Sequence, residues 1–521
     1  MPQVRIFAAL TFGAAVSCCA QVQPSGTAPA RPAPATPATT NLFTTNAVVG
    51  TNLFAPTNGV VRAVGLQEAI QLSLTNNYDV RIQRFEPELA QQDIEAAKGA
   101  YDPVIAASGQ HRDSKTSGGH SKTEALSFGL NGELPTGTFY DLGVTANETG
   151  TRPFVGTPFR TGDGGATVLR VTQPLLRDFW TSPTRYNIAI SRKNLRISEL
   201  ALRQRLLATV SAVEQAYFEW IAAREQVRVQ EEAVSLARQE AREMNLKAQI
   251  GVAEQLLAQS FESQAASSEA DLLQARRNVR TAENALLNLI TTQFESWRPF
   301  ALEPADQLPT RERNFDTQTS WRLAFEHRPD LHQLIVDLER LGLTEKLRYN
   351  QLFPTLDLTG AYGYNAFGDS LRGVFSDLSD ANKPVWSVGL NASFPIGNRT
   401  ARAGLRATRL EQEQANERLK QARQTIMVQV ENAINDARTA WERIPATRVA
   451  REYAANALDA YKKRYAAGTI RNLDVLTQQR ALTAARSDEI RALVDYNKAV
   501  TILLEREGTL LDERGLVVNV K

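Results

Sequence analysis

The chain is poor in nearly everything that marks a catalyst or a disulfide scaffold. Its 521 residues include two cysteines, Cys18 and Cys19, both within the first twenty positions. The body therefore has no thiols for a disulfide framework or a cysteine-based metal site. There are four histidines, His111, His120, His327 and His332. The last two are five positions apart, a spacing that does not set them on one helical face as a metal pair. No residue carries the flanking signals of a nucleophile motif. Gly162-Asp163-Gly164-Gly165 lacks the strand–helix context of a phosphate loop and reads as a surface turn. Charge of either sign is not in excess, with 59 Lys+Arg against 57 Asp+Glu, so the electrostatic footprint of a nucleic-acid partner is missing. Enzymatic activity, a cofactor, a bound metal and a nucleic-acid partner are not expected. Long hydrophobic runs are also missing. With no later stretch of about eighteen consecutive apolar residues, this chain enters a membrane only as a β-barrel.

What is present begins with an export signal. Arg5 supplies a positive start, residues 6–16 are apolar, and Ser17-Cys18-Cys19-Ala20 is a small-residue cleavage region, so residues 1–20 read as a signal peptide cut after Ala20. Lipid attachment at Cys18 or Cys19 is the alternative, although Ala-Val-Ser is a poor lipidation box. Residues 21–60 are rich in Pro, Ala, Thr and Asn and hold too few apolar groups to offset ordering entropy, which marks a flexible linker.

The remainder repeats itself. Residues 66–110 align with 317–361 at a constant offset of 251, and 213–258 align with 430–475 at an offset of 217. Asn77-Tyr78-Asp79-Val80 falls on Arg328-Pro329-Asp330-Leu331, and Gly251 falls on Gly468. Two tandem copies of one unit follow, 61–293 and 317–510, joined by a linker at 294–316 and ending in a tail at 511–521. Each unit reads helix, strands, very long helix, tight turn, long helix. The opening helix of the first copy spans roughly 66–98. The long helix begins after Pro183, and no Gly or Pro interrupts residues 184–250, a rod of roughly 100 Å. Leu202, Leu206, Val213, Tyr217 and Trp220 form its apolar stripe. The return helix carries Leu272, Ala275, Val279, Ala282, Leu286 and Leu289. The second copy repeats the spacing in Ile426, Val430, Ala433, Ala437 and Ala440, then in Leu493, Tyr496, Val500 and Leu503. These are coiled-coil-like seams whose alanines permit close helix approach.

Other segments have the period of a strand. Leu356, Leu358, Tyr362 and Tyr364 alternate with small or polar residues, as do Trp386, Val388, Leu390, Ala392 and Phe394. Each run is close to the 9–11 residues of a tilted membrane strand, with aromatics at its ends. An ordinary soluble hairpin would share the alternation, and the export signal tips the reading toward the membrane. In the first copy Val104 to Asp113 and Ala166 to Gln173 occupy the matching positions. Two further runs lie between them, with Leu126, Phe128 and Leu130 in one, Tyr140, Leu142 and Val144 in the other, and a turn at Leu134-Pro135-Thr136-Gly137-Thr138.

The arrangement resembles the TolC-like outer-membrane efflux protein family (outer membrane factors) over about residues 65–510. The resemblance is carried by Phe353-Pro354-Thr355-Leu356-Asp357-Leu358 entering a strand, Phe394-Pro395-Ile396 and Thr172-Gln173-Pro174-Leu175-Leu176 leaving strands, and the two tips Ile250-Gly251-Val252 and Ala467-Gly468-Thr469-Ile470-Arg471-Asn472-Leu473-Asp474-Val475-Leu476. It implies a mixed, mainly α fold. Long helical hairpins form a periplasmic α-barrel that continues into a transmembrane β-barrel, and the assembly is a homotrimer. The implied function is the outer-membrane exit duct of a tripartite efflux or type I secretion system in a Gram-negative-type cell. The implied partners are a periplasmic adaptor, an inner-membrane pump and outer-membrane lipid. A periplasmic or surface coiled-coil scaffold without a pore is the alternative that the heptad seams alone would allow.

The resemblance also assigns roles. Tyr465 matches a tyrosine that helps hold the periplasmic gate shut, and Asp474 matches an aspartate that forms a ring on the threefold axis. The tips Ile250, Gly251, Val252, Ala467, Gly468 and Thr469 would dock the adaptor. The chain departs from the family at Thr477, where a second aspartate is common, at Ile470, where a basic residue is expected, and at Leu257, where an aspartate could link to it. A double acidic ring is therefore not expected, and the closing network must differ. Six candidate strands exceed the four the family uses. The extra pair is either an extracellular extension or a widening of the barrel.

Overall fold

The computed structural model describes residues 61–116, 119–152, 160–251, 254–368 and 371–516. The expected signal peptide, the 21–60 linker, Val252 and the end of the tail lie outside them. The described part belongs to one compact unit, Pro56–Lys521. In chain order its elements are β1 (Val61–Val64), α1 (Leu66–Asn76), α2 (Tyr78–Lys98), β2 (Val104–Thr116), β3 (Gly119–Glu133), β4 (Phe139–Arg152) and β5 (Arg160–Pro174). Then come α3 (Pro183–Gln249), α4 (Gln255–Ile290), α5 (Phe294–Trp297), β6 (Ala301–Pro304), α6 (Thr317–His327) and α7 (Pro329–Asn350). β7 (Thr355–Gly368), α8 (Leu371–Asp380), β8 (Pro384–Ser393), α9 (Arg399–Ala466), α10 (Asn472–Glu507) and α11 (Leu510–Glu513) complete it.

The repeat is visible in helix lengths. α1 and α6 each have 11 residues, α2 and α7 have 21 and 22, α3 and α9 have 67 and 68, and α4 and α10 have 36 each. At 1.5 Å per residue, α3 and α9 are each about 100 Å long. Ser182 starts α3 by accepting from the Arg185 N–H at 3.3 Å, with Pro183 in the first turn, where its missing donor does no harm. The stripe Leu202, Leu206, Val213, Tyr217 and Trp220 is buried in the largest core together with Leu286 of α4. Burying each large side chain there contributes about 1.5–3 kcal/mol. Ile426, Val430, Ala433, Ala437 and Ala440 are likewise buried on α9.

The single opening helix expected over 66–98 is broken at Asn77. This residue leaves helical geometry (ψ 127°), and its Oδ1 accepts from the N–H groups of Asp79 and Val80 at 2.9 and 3.3 Å. An N-cap of this strength restarts a helix better than it continues one. The same break falls at Arg328, where the following proline disfavours helical geometry.

The linker between the repeats holds more structure than its three prolines predict. β6 lies in it and pairs in parallel with β1, which ties the start of the described chain to its middle. The buried Tyr217 hydroxyl donates to Val64 O at 3.0 Å and to the Asp306 carboxylate at 3.0 Å. Nearby, the fully buried Glu214 accepts from Thr501 Oγ1 at 2.6 Å and from the Arg514 guanidinium at 2.5 and 2.9 Å. This pins the segment after α11 against both long hairpins.

Among the described residues six strands form one antiparallel sheet in the order β2-β3-β4-β5-β7-β8. The extra pair β3–β4 stands in the middle of this sheet, fully in register with its neighbours, so it widens the sheet. The turn at residues 134–138 closes as expected, with the Leu134 N–H on Thr138 O and the Gly137 N–H on Leu134 O, both at 2.8 Å. The reading of residues 162–165 as a surface turn is wrong. They lie inside β5, paired with β4 and β7. At Gly165 a Cβ would come within 2.5 Å of Val374 Cγ1 on α8 and 2.7 Å of Thr145 O, so the glycine serves close packing.

Candidate functional site

Two places on the fold carry the functional expectations: the paired tips of the long hairpins and the faces of the sheet at their other end.

At the second tip α9 ends in a Schellman motif. Gly468 takes φ 70°, its N–H bonds Tyr465 O at 2.9 Å, and the Thr469 N–H bonds Arg464 O at 3.1 Å. Thr469 Oγ1 adds a second bond to Arg464 O at 2.9 Å, and the Ala467 N–H bonds Lys463 O at 3.1 Å. The first tip repeats this as far as it is described. Gly251 takes φ 75° and bonds Ala248 O at 3.1 Å, beside an Ile250 that is 73% exposed. A Cβ at either glycine would meet nothing within 4 Å, so the backbone angle, and not space, demands glycine there.

The sequence reading places Asp474 and Tyr465 together at a gate. The structure places both at the tips and gives them different contacts. Asp474 stands in the first turn of α10, where its carboxylate accepts the Arg471 N–H at 3.1 Å. A carboxylate there also faces the positive end of the helix. Tyr465 instead reaches across to the first hairpin. Its hydroxyl lies 3.9 Å from Met244 Sδ, and its ring packs on the cluster of Ala241, Met244, Phe261 and Leu476. Burial, and after it the nearby Glu240 carboxylate, push its phenol above the ordinary value, so it acts as a neutral hydroxyl.

The links that join the two tips are ones sequence reasoning missed. Gln479 donates to the Glu240 carboxylate, the Lys462 ammonium lies 3.3 Å from that same carboxylate, and Arg480 donates to Gln264 Oε1. These pairs are separated by more than two hundred residues, and no local spacing marks them. A charged residue on α3 facing the polar side of α10 at matching distance from the turn is the available signal.

At the opposite end the sheet register sorts the side chains. Following paired residues across all six strands gives Ile105, Leu130, Leu142, Leu169, Tyr362 and Trp386 on one face. The neighbouring row runs Ala107, Phe128, Val144, Thr167 and Tyr364. The other face presents Asn131, Asp141, Arg170, Ala361 and Ser387. The apolar face is solvent-exposed, with Ile105 at 82% and Trp386 at 73%. From Leu356 to Tyr364 it extends about 26 Å along the strand, the height of an outward band on a membrane barrel. Phe179, Trp180, Tyr349, Phe353 and Phe394 cluster where the strands meet the helices, as an interfacial girdle requires. Beyond the band, α8 packs Val374 against Ala146 and Ala366. A scaffold without a pore has no use for such a face.

The described helices include none long and apolar enough to cross a membrane. The sequence matches the family model described as outer membrane efflux protein over residues 165–292 and 321–505. No curated protein matches it. The fold is similar to that of a membrane protein from Pseudomonas aeruginosa, with TM-score 0.65, 19% identity, and 85% of this chain and 92% of that one covered. It is similar to the Campylobacter jejuni CmeC outer membrane channel, with TM-score 0.65, 17% identity and coverage of 85% and 86%. It is also similar to the open state of the Neisseria gonorrhoeae MtrE outer membrane channel, with TM-score 0.62, 18% identity and coverage of 86% and 89%.

Proposed function

Because the chain belongs to the outer membrane efflux protein family, we propose that it is the exit duct of a tripartite efflux or type I secretion system. It is an outer-membrane channel protein with a periplasmic helical extension. The observation that carries the reading is the six-stranded sheet with one apolar and one polar face, set at the end of two helices about 100 Å long. The apolar face belongs against lipid and the polar face lines water.

The finer reading has the chain as a homotrimer with two repeats bounded at 61–293 and 317–510. A periplasmic adaptor grips the tips Ile250, Gly251, Val252, Ala467, Gly468 and Thr469, and an inner-membrane pump supplies the cargo. The exposed turns with open space around both glycines support the docking role. The gate is assigned to Tyr465 and Asp474. Tyr465 latches the second hairpin to the first, and three Asp474 carboxylates near a common axis repel one another and attract cations. Drug, metal, small-molecule and protein cargo all suit the same device, and the cognate pump decides among them.

The purified protein, reconstituted in planar bilayers, should conduct ions as a trimer of native mass. A monomer that remains soluble without detergent and conducts nothing would overturn the assignment.

A further inference from the structure

The contacts inside one copy supply a template for the contact between copies. Within the chain, the end of repeat one meets the start of repeat two twice. β5 pairs with β7, and α7, the helix leading into β7, lies between α3 and α9. On its α3 side Arg340 bonds Asn194 at 3.3 Å, Glu339 bonds Lys193 at 2.6 Å and Gln333 bonds Gln204 at 3.4 Å. On its α9 side Leu331 is buried, and Glu345 bonds Arg409 at 2.9 Å.

The repeat-one counterpart of α7 is α2, 251 positions earlier. Val80 and Ile94, which correspond to Leu331 and Glu345, are buried in contact with their own long helix α3. The other flank of α2 is bare. Tyr78, Ile82, Phe85 and Leu89 form an apolar stripe at helical spacing, each more than half exposed. Phe85 is 59% exposed, whereas its counterpart Val336 on α7 is 8% exposed. α9 has the complementary gap. α3 is flanked by both α2 and α7, but among the described residues α9 has only α7 of that pair beside it. Leu410, the counterpart of Lys193, stands 64% exposed where a second short helix would lie. The sheet ends the same way. β8 is exposed at every residue, β2 at every residue from 104 to 115, and among the described residues both edges lack a partner strand. Long unprotected edges of this kind are completed by another chain.

We propose that three copies close head to tail, each β8 pairing with β2 of the next copy and each α9 receiving α2 of that same copy, into a barrel of eighteen strands. The proposal rests on the trimeric duct and specifies its wall. Six alternating strands leave β8 antiparallel to the incoming β2, so the closed wall alternates throughout, as membrane barrels require. With strands about 4.8 Å apart and tilted about 40°, eighteen strands give a wall about 36 Å across, against about 24 Å for twelve. The β3–β4 pair accounts for the difference. On the template, Leu89, Glu88 and Ile82 of one copy meet Glu411, Leu410 and Gln421 of its neighbour, respectively.

The test joins Leu89→Cys with Glu411→Cys, the counterparts of Arg340 and Asn194, and treats the detergent-solubilised trimer with a short bismaleimide. Dimer and trimer bands on a denaturing gel are expected, with neither single variant giving a trimer band. Electron cryo-microscopy of the same trimer should show eighteen strands in the wall. A trimeric native mass without cross-linked bands, or a twelve-strand wall with β3–β4 outside it, overturns the proposal and leaves the duct intact. A monomeric native mass removes the duct reading beneath it.

Discussion

At the scale of single residues, the decisive feature of the tip is a lone acid. Asp474 is held by its own helix start, and Thr477, one turn on, bonds Leu473 O at 2.8 Å and carries no charge. A threefold assembly then has one acidic ring and not two. Asp474→Ala should lower the preference for cations over anions, read as a shift of the reversal potential in a salt gradient. Thr477→Asp should raise that preference and strengthen block by divalent cations. Unchanged selectivity in Asp474→Ala would place the constriction elsewhere. Far from the tips, Arg514 neutralises a carboxylate with no exposure of its own, Glu214. Arg514→Ala strands that charge and should destabilise the fold by about 3 kcal/mol, the lower end for a broken buried pair because Arg514 itself is partly exposed. A lowered unfolding midpoint in detergent checks this, and Arg514→Lys, which loses the two-pronged bond, should fall between the two. Sequence reading singled out Tyr465 and Asp474 through the family motif around Gly468. It could not find Glu240, Gln479 and Lys462, because their partners are set by how two hairpins cross, and helical periodicity says only which face each occupies.

At the scale of elements, the turns and the sheet face each give a prediction. Both tips need φ near +70°, which Asn tolerates and Val does not. Gly468→Asn should keep pump-dependent export. Gly468→Val together with Gly251→Val should abolish it, with the trimer still formed, since the long seams lie far from the turns. Export surviving the valine pair would remove the tips from adaptor docking. On the sheet, Leu142→Arg or Leu169→Arg sets a charge into the apolar row and should destabilise the inserted state, by at most about 2–4 kcal/mol per copy, the cost at a midplane position. Asp141→Asn, on the opposite face of the same strand, should insert normally. Heat-modified mobility after membrane extraction separates the two. Much at this scale was legible: the alternating runs, the uninterrupted rod of α3 and the glycine turns are period and backbone effects. The break at Asn77, the β1–β6 pair and the strand character of residues 162–165 were not. The first depends on a cap that looks like any Asn in a helix, and the second on pairing across some 240 residues. The third depends on α8 coming close enough to require glycine.

At the scale of the whole molecule, the duct is two resistances in series, and only one of them should govern flow. A barrel wall about 36 Å across leaves an aqueous lumen even after side chains are counted. In the proposed gate the second tip brings Asp474 and the Tyr465 latch of each copy toward the common axis. Conductance should therefore answer to the tips and not to the barrel. Deleting residues 119–152 removes β3 and β4 and leaves β2 antiparallel to β5, so a four-stranded sheet can still form and three copies can still close. In planar bilayers this shortened chain should conduct within about twofold of the full one, because the narrow end is untouched. Gln479→Ala with Lys462→Ala, which cuts the links to Glu240, should raise conductance severalfold in either background. Polymers added from the outer side separate the two ends: the deletion should lower the size of polyethylene glycol that enters the barrel, and the tip variants should leave that size unchanged. If the deletion cut conductance as deeply as it cut polymer entry, the barrel would be the narrow element, and the gate assigned to the tips would have to be abandoned.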